Sequence, residues 1–502
     1  MKMSLKRILA ALLLGCTLIP LAACSSGDTG TADTTAADTA VNDAAEDTTT
    51  AETEPERLYP EVPDKDWEGR TFNVLGRRHD DPTRWYFVNA EIFSEGENGE
   101  TVNDAVFRRN SDIEEKYNVK ITQDLQLSPQ DYIKTTVAAG DQIHDMSFQN
   151  QLHVAKVAEG GYLVDMYSLD HVDYDKPWWN QELNDRLSVG GKLYFTTSDF
   201  AIMDKYRTSI IFFNRDMAEE YSLGNKFDAV REGKWTLDMM LEDSLKVSRD
   251  VDGDGDRDQF DQFGYGCEWY NSTVLAFASD NIICGKDSKD IPVIKMDAAH
   301  WSAALDKIVK ITSNKEIMFF EQEYNGKYDG DYYQMSEDLF KDGRLMYCAS
   351  FVESFKAMSA DCTDEYGVIP FPKYDEEQEN YYTLSAQGLI LCVPVTAPDL
   401  EFTGFMLEVL SSYSSYTTLP AVIEVNCKTK YTYDADSAEM LDLTFDGLVF
   451  DLGQLYNWGD LFNIPYNIGK EGQNNYASRY ASLEGAAIAA MEKTVDTYLN
   501  LK

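Results

Sequence analysis

The chain carries no GxSxG, HExxH, P-loop or GxGxxG signature, and its five histidines (His79, His144, His153, His171 and His300) show no metal-ligand spacing. Hydrolases, zinc proteases and nucleotide-dependent enzymes that rest on those motifs lose their sequence support. No CxxC pair occurs among the eight cysteines, which argues against a zinc ribbon or a thioredoxin-like redox motif. Basic residues are scarce, 44 Lys and Arg against 87 Asp and Glu, for a formal charge of −43 that repels nucleic acid and anionic headgroups. Beyond Leu21 no apolar run is long enough to suggest a transmembrane helix.

What the chain does have begins at its N-terminus. Lys2, Lys6 and Arg7 precede an apolar run from Ile8 to Leu21, the charged start and short core of an export signal (residues 1–23). Leu21-Ala22-Ala23-Cys24 resembles the bacterial lipobox, which implies diacylglyceryl lipidation of Cys24 and a place outside the cytoplasm, anchored to the outer face of the cell membrane. Residues 24–66 then form an acidic Thr/Ala-rich tether whose only large aliphatic residue from Ser25 to Arg57 is Val41. Such a stretch buries too little apolar surface to offset its chain entropy, so a disordered tether is expected. Cys16 leaves with the signal, and the remaining six cysteines include Cys348 and Cys362, whose pairing the sequence leaves open.

The rest is larger than a single core supports, so at least two lobes are expected. Strands are predicted at Thr71–Leu75, Val119–Ile121, Asp145–Phe148, Ser209–Phe213 and Gly388–Val393. Helices are predicted at Val102–Tyr117 (capped by Thr101 or Asn103), Gln130–Ala139, Arg215–Tyr221, Trp235–Val247, Leu400–Leu410 and Gly485–Leu499. This alternation implies an α/β class with mostly parallel strands covered by helices. An aromatic share of 12%, with 30 Tyr, leaves rings to line a cleft once packing is served.

Several blocks together resemble the family 1 extracellular solute-binding proteins, the lipoprotein receptors of carbohydrate ABC importers. They are Asp145-Met146-Ser147-Phe148 with Gly160 to Asp165, Phe213-Asn214-Arg215-Asp216 with Gly233 to Asp238, Leu339 to Met346, and Tyr366 to Pro372. Their order over residues 68–415 carries the likeness; the tail from 416 matches a narrower branch of long acidic lipoproteins. The resemblance implies a two-lobed periplasmic-binding-protein-like fold (type II), with mixed, mostly parallel sheets, a hinge of three crossings and a C-terminal helical region. It divides the chain into lobe 1 (67–208), lobe 2 (209–369), a return to lobe 1 (370–415) and a return to lobe 2 with C-terminal helices (416–502). The crossings are expected near Tyr206–Ile211, Gly367–Pro372 and Tyr413–Thr418.

By the same resemblance, ligand-binding groups fall at Trp85, at Phe148 and Gln149, at Asp199, at Trp269, and at Phe351 and Glu353. Flat rings there would stack on sugar C–H faces, while amides and carboxylates would pair with hydroxyls. Separately, Asp250, Asp252, Asp254, Asp256, Asp258 and Asp261 follow calcium-loop spacing, with Gly255 at the sixth position. Two readings stand there: a single structural Ca2+, or a solvated acidic turn. Trp178 and Trp179, after Lys176-Pro177, read as packing of a surface turn onto its own lobe.

The expected function is that of a non-enzymatic, membrane-tethered receptor, monomeric, which captures a carbohydrate, in first place an oligosaccharide, and delivers it to ABC permease subunits. It needs no cofactor and no nucleic acid. Alternatives are a receptor for a peptide or other polar solute, and a surface glycan adhesin without a transport role.

Overall fold

A computed structural model of the chain describes residues 57–80, 88–325, 327, 332–386, 388–430 and 435–501. Cys24, most of the tether and Trp85 lie outside the described residues. Among the described residues the strands are β1 (Arg70–Arg77), β2 (Val119–Gln126), β3 (Met146–Asn150), β4 (Ser209–Asn214), β5 (Phe263–Cys267), β6 (Cys284–Lys286), β7 (Pro292–Ile294), β8 (Met318–Phe320), β9 (Leu345–Phe351), β10 (Tyr366–Ile369), β11 (Thr383–Leu384), β12 (Leu389–Cys392) and β13 (Leu448–Val449).

Two sheets organise them. The first runs β12-β3-β1-β2 and the second β10-β4-β9-β5-β8. β1, β2 and β3 are mutually parallel, as are β5, β8 and β9. The sheets are mixed and mostly parallel, as expected: only β12 in the first, antiparallel to β3, and β4 in the second, antiparallel to both β9 and β10, run against the rest. The physical reason is the route of the chain. β4 and β12 each enter a sheet directly from the other one, at the edge where the parallel strands end, and so must run back against them. Helices cover the faces in the α/β manner.

Sequence periodicity sets the local elements well. Helix Thr101–Tyr117 buries Val102, Val106, Ile113 and Tyr117 on one face, but its cap is Glu100, whose carboxylate accepts from the Asn103 N–H, rather than Thr101 or Asn103. Asn118 closes it in the left-handed conformation (φ 48°). Leu400 does begin a helix, which continues to Tyr416 with nearly every residue from Phe402 to Ser414 buried. Phe402 and Phe405 of this helix pack on Trp67 at ring distances of 4.8 and 5.2 Å, which ties it to β1 in the first lobe. A buried ring of that size contributes about 1.5–3 kcal/mol. In the second lobe, Trp235 and Tyr347 meet at 4.9 Å, beside a buried Lys226–Asp243 ion pair of 2.5 Å to which the Tyr347 hydroxyl donates.

Trp178 and Trp179 are buried, and both indole N–H groups donate to the carboxylate of Glu408, at 3.1 and 2.8 Å. Cys267, Cys284, Cys348, Cys362 and Cys392 are free thiols, so Cys348 and Cys362 are not joined. Among the described residues no helix is long and apolar enough to cross a membrane.

Candidate functional site

The chain passes between the sheets at one edge. It leaves the first lobe through helix Met203–Tyr206 into β4, and returns through β11 into β12. Thr208 and Ser385 pair as an antiparallel bridge, Ala386 N–H donates to Arg207 O at 2.9 Å, and Val352 N–H donates to Thr208 O at 3.1 Å. β1 and β3 in one lobe, and β5, β8 and β9 in the other, all end at this edge. In open α/β sheets the crevice outside the carboxyl ends of the strands is where a ligand lodges.

Arg207 sits at the centre of that edge. Its Nε donates to Ala386 O at 2.8 Å, its guanidinium pairs with Glu353 at the end of β9, and its Cζ lies 4.1 Å from the centroid of the Phe351 ring. Both charged side chains are only 8% exposed, so the pair is held behind the edge and not in solvent. Burial lifts the Glu353 carboxyl to about 7, with the Arg207 charge opposing that rise. From the first lobe, burial and then the nearby Arg207 charge draw the Arg77 guanidinium below its usual range. From the second lobe, burial pushes the Tyr270 phenol up against the same opposing Arg207 charge. Phe351 and Glu353 thus contact the Arg207 guanidinium directly, and Arg77 and Tyr270 feel its charge.

Gln151 and Asp204 flank the crossing, and Glu91 is buried within the first lobe. Gln151 donates through Nε2 to Ser385 O at 2.6 Å, and Asp204 accepts from Lys205 Nζ and Thr197 Oγ1, each at 3.2 Å. Glu91 is fully buried, accepts from Asn89 Nδ2 at 3.1 Å, and is raised by burial to about 7. The acceptor oxygens Gln149 Oε1, Gln151 Oε1, Asp204 Oδ1 and Glu353 Oε2 are buried with no protein donor. Each is suited to accept from a hydroxyl or N–H of a guest, and leaving such a group unpaired costs about 1–3 kcal/mol.

The sequence-derived candidates are distributed unevenly about this centre. Phe351 and Glu353 join at Arg207. Gln149 lies at the end of β3, its Nε2 donating to Ser147 Oγ at 2.7 Å. Asp199 is half-buried, accepts from Ser415 Oγ at 2.5 Å, and is lifted by desolvation to about 7. Trp269, after β5, is half-buried; Tyr466 and Phe320 approach its ring at 6.1 and 6.4 Å, and Lys470 Nζ lies 4.7 Å from its centroid. Phe148, by contrast, is fully buried with its ring 5.3 Å from Phe200, so it serves the core of its lobe and offers no face to a guest. Arg207, Gln151, Tyr270 and Glu91 were not foreseen. Only the position of Arg207 inside the expected first crossing could have pointed to it.

The acidic loop is a separate feature. Carboxylate oxygens of Asp250, Asp252 and Asp254, all exposed, lie within 4.8 Å of one another. Asp250 accepts from Gly253 N–H and Gly255 N–H at 2.6 and 3.0 Å, with Gly255 at φ +85° as the sharp turn requires. Asp256 and Asp258 fall outside this group. Asp261 is buried and turned inward, accepting from Val251 N–H at 2.8 Å and Asp258 N–H at 3.1 Å, with Arg257 at 3.5 Å. Three of the six candidate ligands come together.

No protein-family profile matches the chain, and no curated protein matches it in sequence. Solved structures do. The galacto-N-biose-/lacto-N-biose I-binding protein of an ABC transporter from Bifidobacterium longum, in complex with lacto-N-biose, superposes with a TM-score of 0.53 at 12% identity, covering 86% of this chain and 99% of its own. A cyclo/maltodextrin-binding protein complexed with maltotetraose gives 0.53 at 12%, over 85% and 97%. An ABC substrate-binding protein from Listeria monocytogenes, in complex with cycloalternan, gives 0.51 at 13%, over 86% and 100%. The chain thus has the two-lobed periplasmic-binding-protein-like fold of these sugar-binding proteins, with sheets of mixed strand direction and a C-terminal helical region.

Proposed function

We propose that this protein is a carbohydrate receptor of an ABC import system, which takes an oligosaccharide between its two lobes and passes it to a permease without making or breaking a bond. The observation that carries the reading is the crossing at Arg207, where the half-buried ring of Phe351 and the carboxylate of Glu353 meet the guanidinium, with the buried acceptor oxygens of Gln151 and Asp204 on the segments that form the crossing and the half-buried Trp269 after β5 of the same sheet as Phe351. A sugar needs both kinds of surface: a flat face for its C–H groups and acceptors for its hydroxyls. Structures of the same fold carrying lacto-N-biose, maltotetraose and cycloalternan support the ligand class. Guest would bias the equilibrium between arrangements of the lobes by contacting both at once.

The protein is further proposed to be monomeric and held at the outer face of the membrane by a lipid on Cys24, with a structural Ca2+ between Asp250, Asp252 and Asp254. Incorporation of labelled fatty acid, lost in Cys24→Ser, tests the anchor.

Titration calorimetry against those three sugars and a wider panel of neutral oligosaccharides tests the ligand class. At least one sugar is expected to bind, and Trp269→Ala to weaken it about tenfold, the ~1.4 kcal/mol that one aromatic contact supplies. Binding of a peptide mixture with silence across the sugars would replace carbohydrate by a peptide. Release of reducing ends on incubation would replace the receptor by a glycosidase.

A further inference from the structure

The C-terminal segment touches both lobes at places away from the crossing. On the second lobe, Asp451 accepts from Ile283 N–H and Cys284 N–H at 2.9 and 3.1 Å, and Tyr476 stacks on Trp301 at 6.0 Å with rings 6° from parallel. Between them, helix Ile464–Glu471 lies so close to helix Asn271–Ala278 that a Cβ on Gly469 would fall 1.9 Å from Ser272 Oγ; only glycine permits that approach. Helix Tyr476–Asn500 then runs 25 residues, about 37 Å at the usual rise, and ends on the first lobe.

The first-lobe contacts are specific. Tyr498 stacks on Tyr194 at 4.7 Å, Thr494 Oγ1 donates to Glu159, and Lys192 Nζ donates to the carbonyls of Tyr498 and Leu501 at 3.1 and 2.6 Å. The last carbonyls of a helix have no partner within it and attract positive charge. Here a lysine of the first lobe supplies both donor and charge, so the helix end is completed only while it is docked. A second tie lies close by. The β6–β7 hairpin of the second lobe places Asp290 to accept from Ser188 Oγ and Gly191 N–H, each at 2.9 Å, and Lys286 Nζ to donate to Ser188 Oγ at 2.8 Å.

We propose that helix Tyr476–Asn500 is a clasp across the two lobes: anchored on the second, it docks its C-terminal turn on Lys192 and Tyr194 of the first and sets how far the lobes can turn about the crossing. The argument is geometric. Glu159 is the last residue of helix Gln151–Glu159, whose first residue is tied to the crossing, Gln151 N–H donating to Gly388 O at 3.0 Å. Nine residues of helix, about 13 Å, separate the two ends. A rotation of one lobe about the crossing therefore displaces Glu159, Lys192 and Tyr194 from a clasp fixed to the other. Reorientation of the lobes must undo these contacts. This inference stands on the two lobes and their ties, and does not depend on what the guest is.

The test uses the full chain without any guest. In Lys192→Met combined with Tyr498→Ala, amide hydrogen exchange over residues 151–161 and 491–501 is expected to rise at least about tenfold, and small-angle scattering to give a larger radius of gyration than the parent. Adding Glu159→Cys and Thr494→Cys to the double variant and oxidising the pair should restore the parental radius, while reduction releases it again. Parental exchange and radius in a folded double variant would overturn the clasp. Should that variant not fold, Lys192→Met alone, read by exchange over the same segments, decides in the same way: a rise supports the clasp and parental rates overturn it. A clasp that holds in a protein binding no sugar would leave this inference standing and remove only the carbohydrate reading.

Discussion

The crossing edge and the acidic loop both gather carboxylates, and they treat them in opposite ways. At the edge, Glu353 and Arg207 are each 8% exposed, and Glu353 and Glu91 are both raised to about 7 because burial removes the water that would stabilise their charge. In the loop, Asp250, Asp252 and Asp254 crowd within 4.8 Å and stay exposed, while backbone N–H groups of Gly253, Gly255, Asp254 and Asp256 donate to them. Solvation decides the difference. A carboxylate in the loop tolerates like-charged neighbours because water and amides share the load, whereas one at the edge needs a specific cation or a proton.

The strongest way to break this contrast is Arg207→Ala. It leaves Glu353 buried without its cation and removes the donor to Ala386 O, so urea unfolding should show a loss of about 3–5 kcal/mol. A loss under about 1 kcal/mol would mean that the edge is as well hydrated as the loop.

The pH dependence comes next. With Glu91 and Glu353 raised in the folded protein, the native state binds more protons than the unfolded chain between about pH 4 and about pH 7, so stability should fall as pH rises through that window, by on the order of a few kcal/mol, and level off above it. Urea midpoints at pH 5 and pH 7.5 measure the slope, and Glu91→Gln should flatten it. A slope of opposite sign would contradict the desolvation argument.

Within the loop, Asp261→Ala should cost about 1–3 kcal/mol, since Val251 and Asp258 lose their buried acceptor. The smallest effect belongs to Asp252→Asn, which should stay within about 0.5 kcal/mol without metal. A rise of a few degrees in Tm on adding Ca2+, seen in the parent and absent in Asp252→Asn, would sharpen the contrast, because a cation then does for the loop what Arg207 does for Glu353.

Much of the fold was legible where a pattern is local. Val102, Val106, Ile113 and Tyr117 recur at helical spacing and share a buried face, and Ser209–Phe213 reads as a strand and lies within β4. The closing helix was less legible. Its expected start at Gly485 falls nine residues late, because the helix is held from Tyr476 by a ring stacked on Trp301, 175 positions away in the chain. Trp178 and Trp179 read correctly as packing, yet their shared partner Glu408 carries no signal in their neighbourhood. Phe148 and Gln149 are adjacent letters in one motif, and only their surroundings make one a core ring and the other an amide with an unpaired oxygen.

Composition and periodicity by themselves determined the α/β class, the need for more than one lobe, the excess of negative charge and most helices and strands, since each follows from short-range spacing or from a count. The tertiary structure alone decided the reversed direction of β4 and β12, the choice of Arg207 as the meeting point of both lobes, and the docking of the last helix on Lys192. Those depend on groups far apart in the chain, Arg207 with Glu353 or Lys192 with Tyr498, whose interaction energy exists only once folding has excluded water between them.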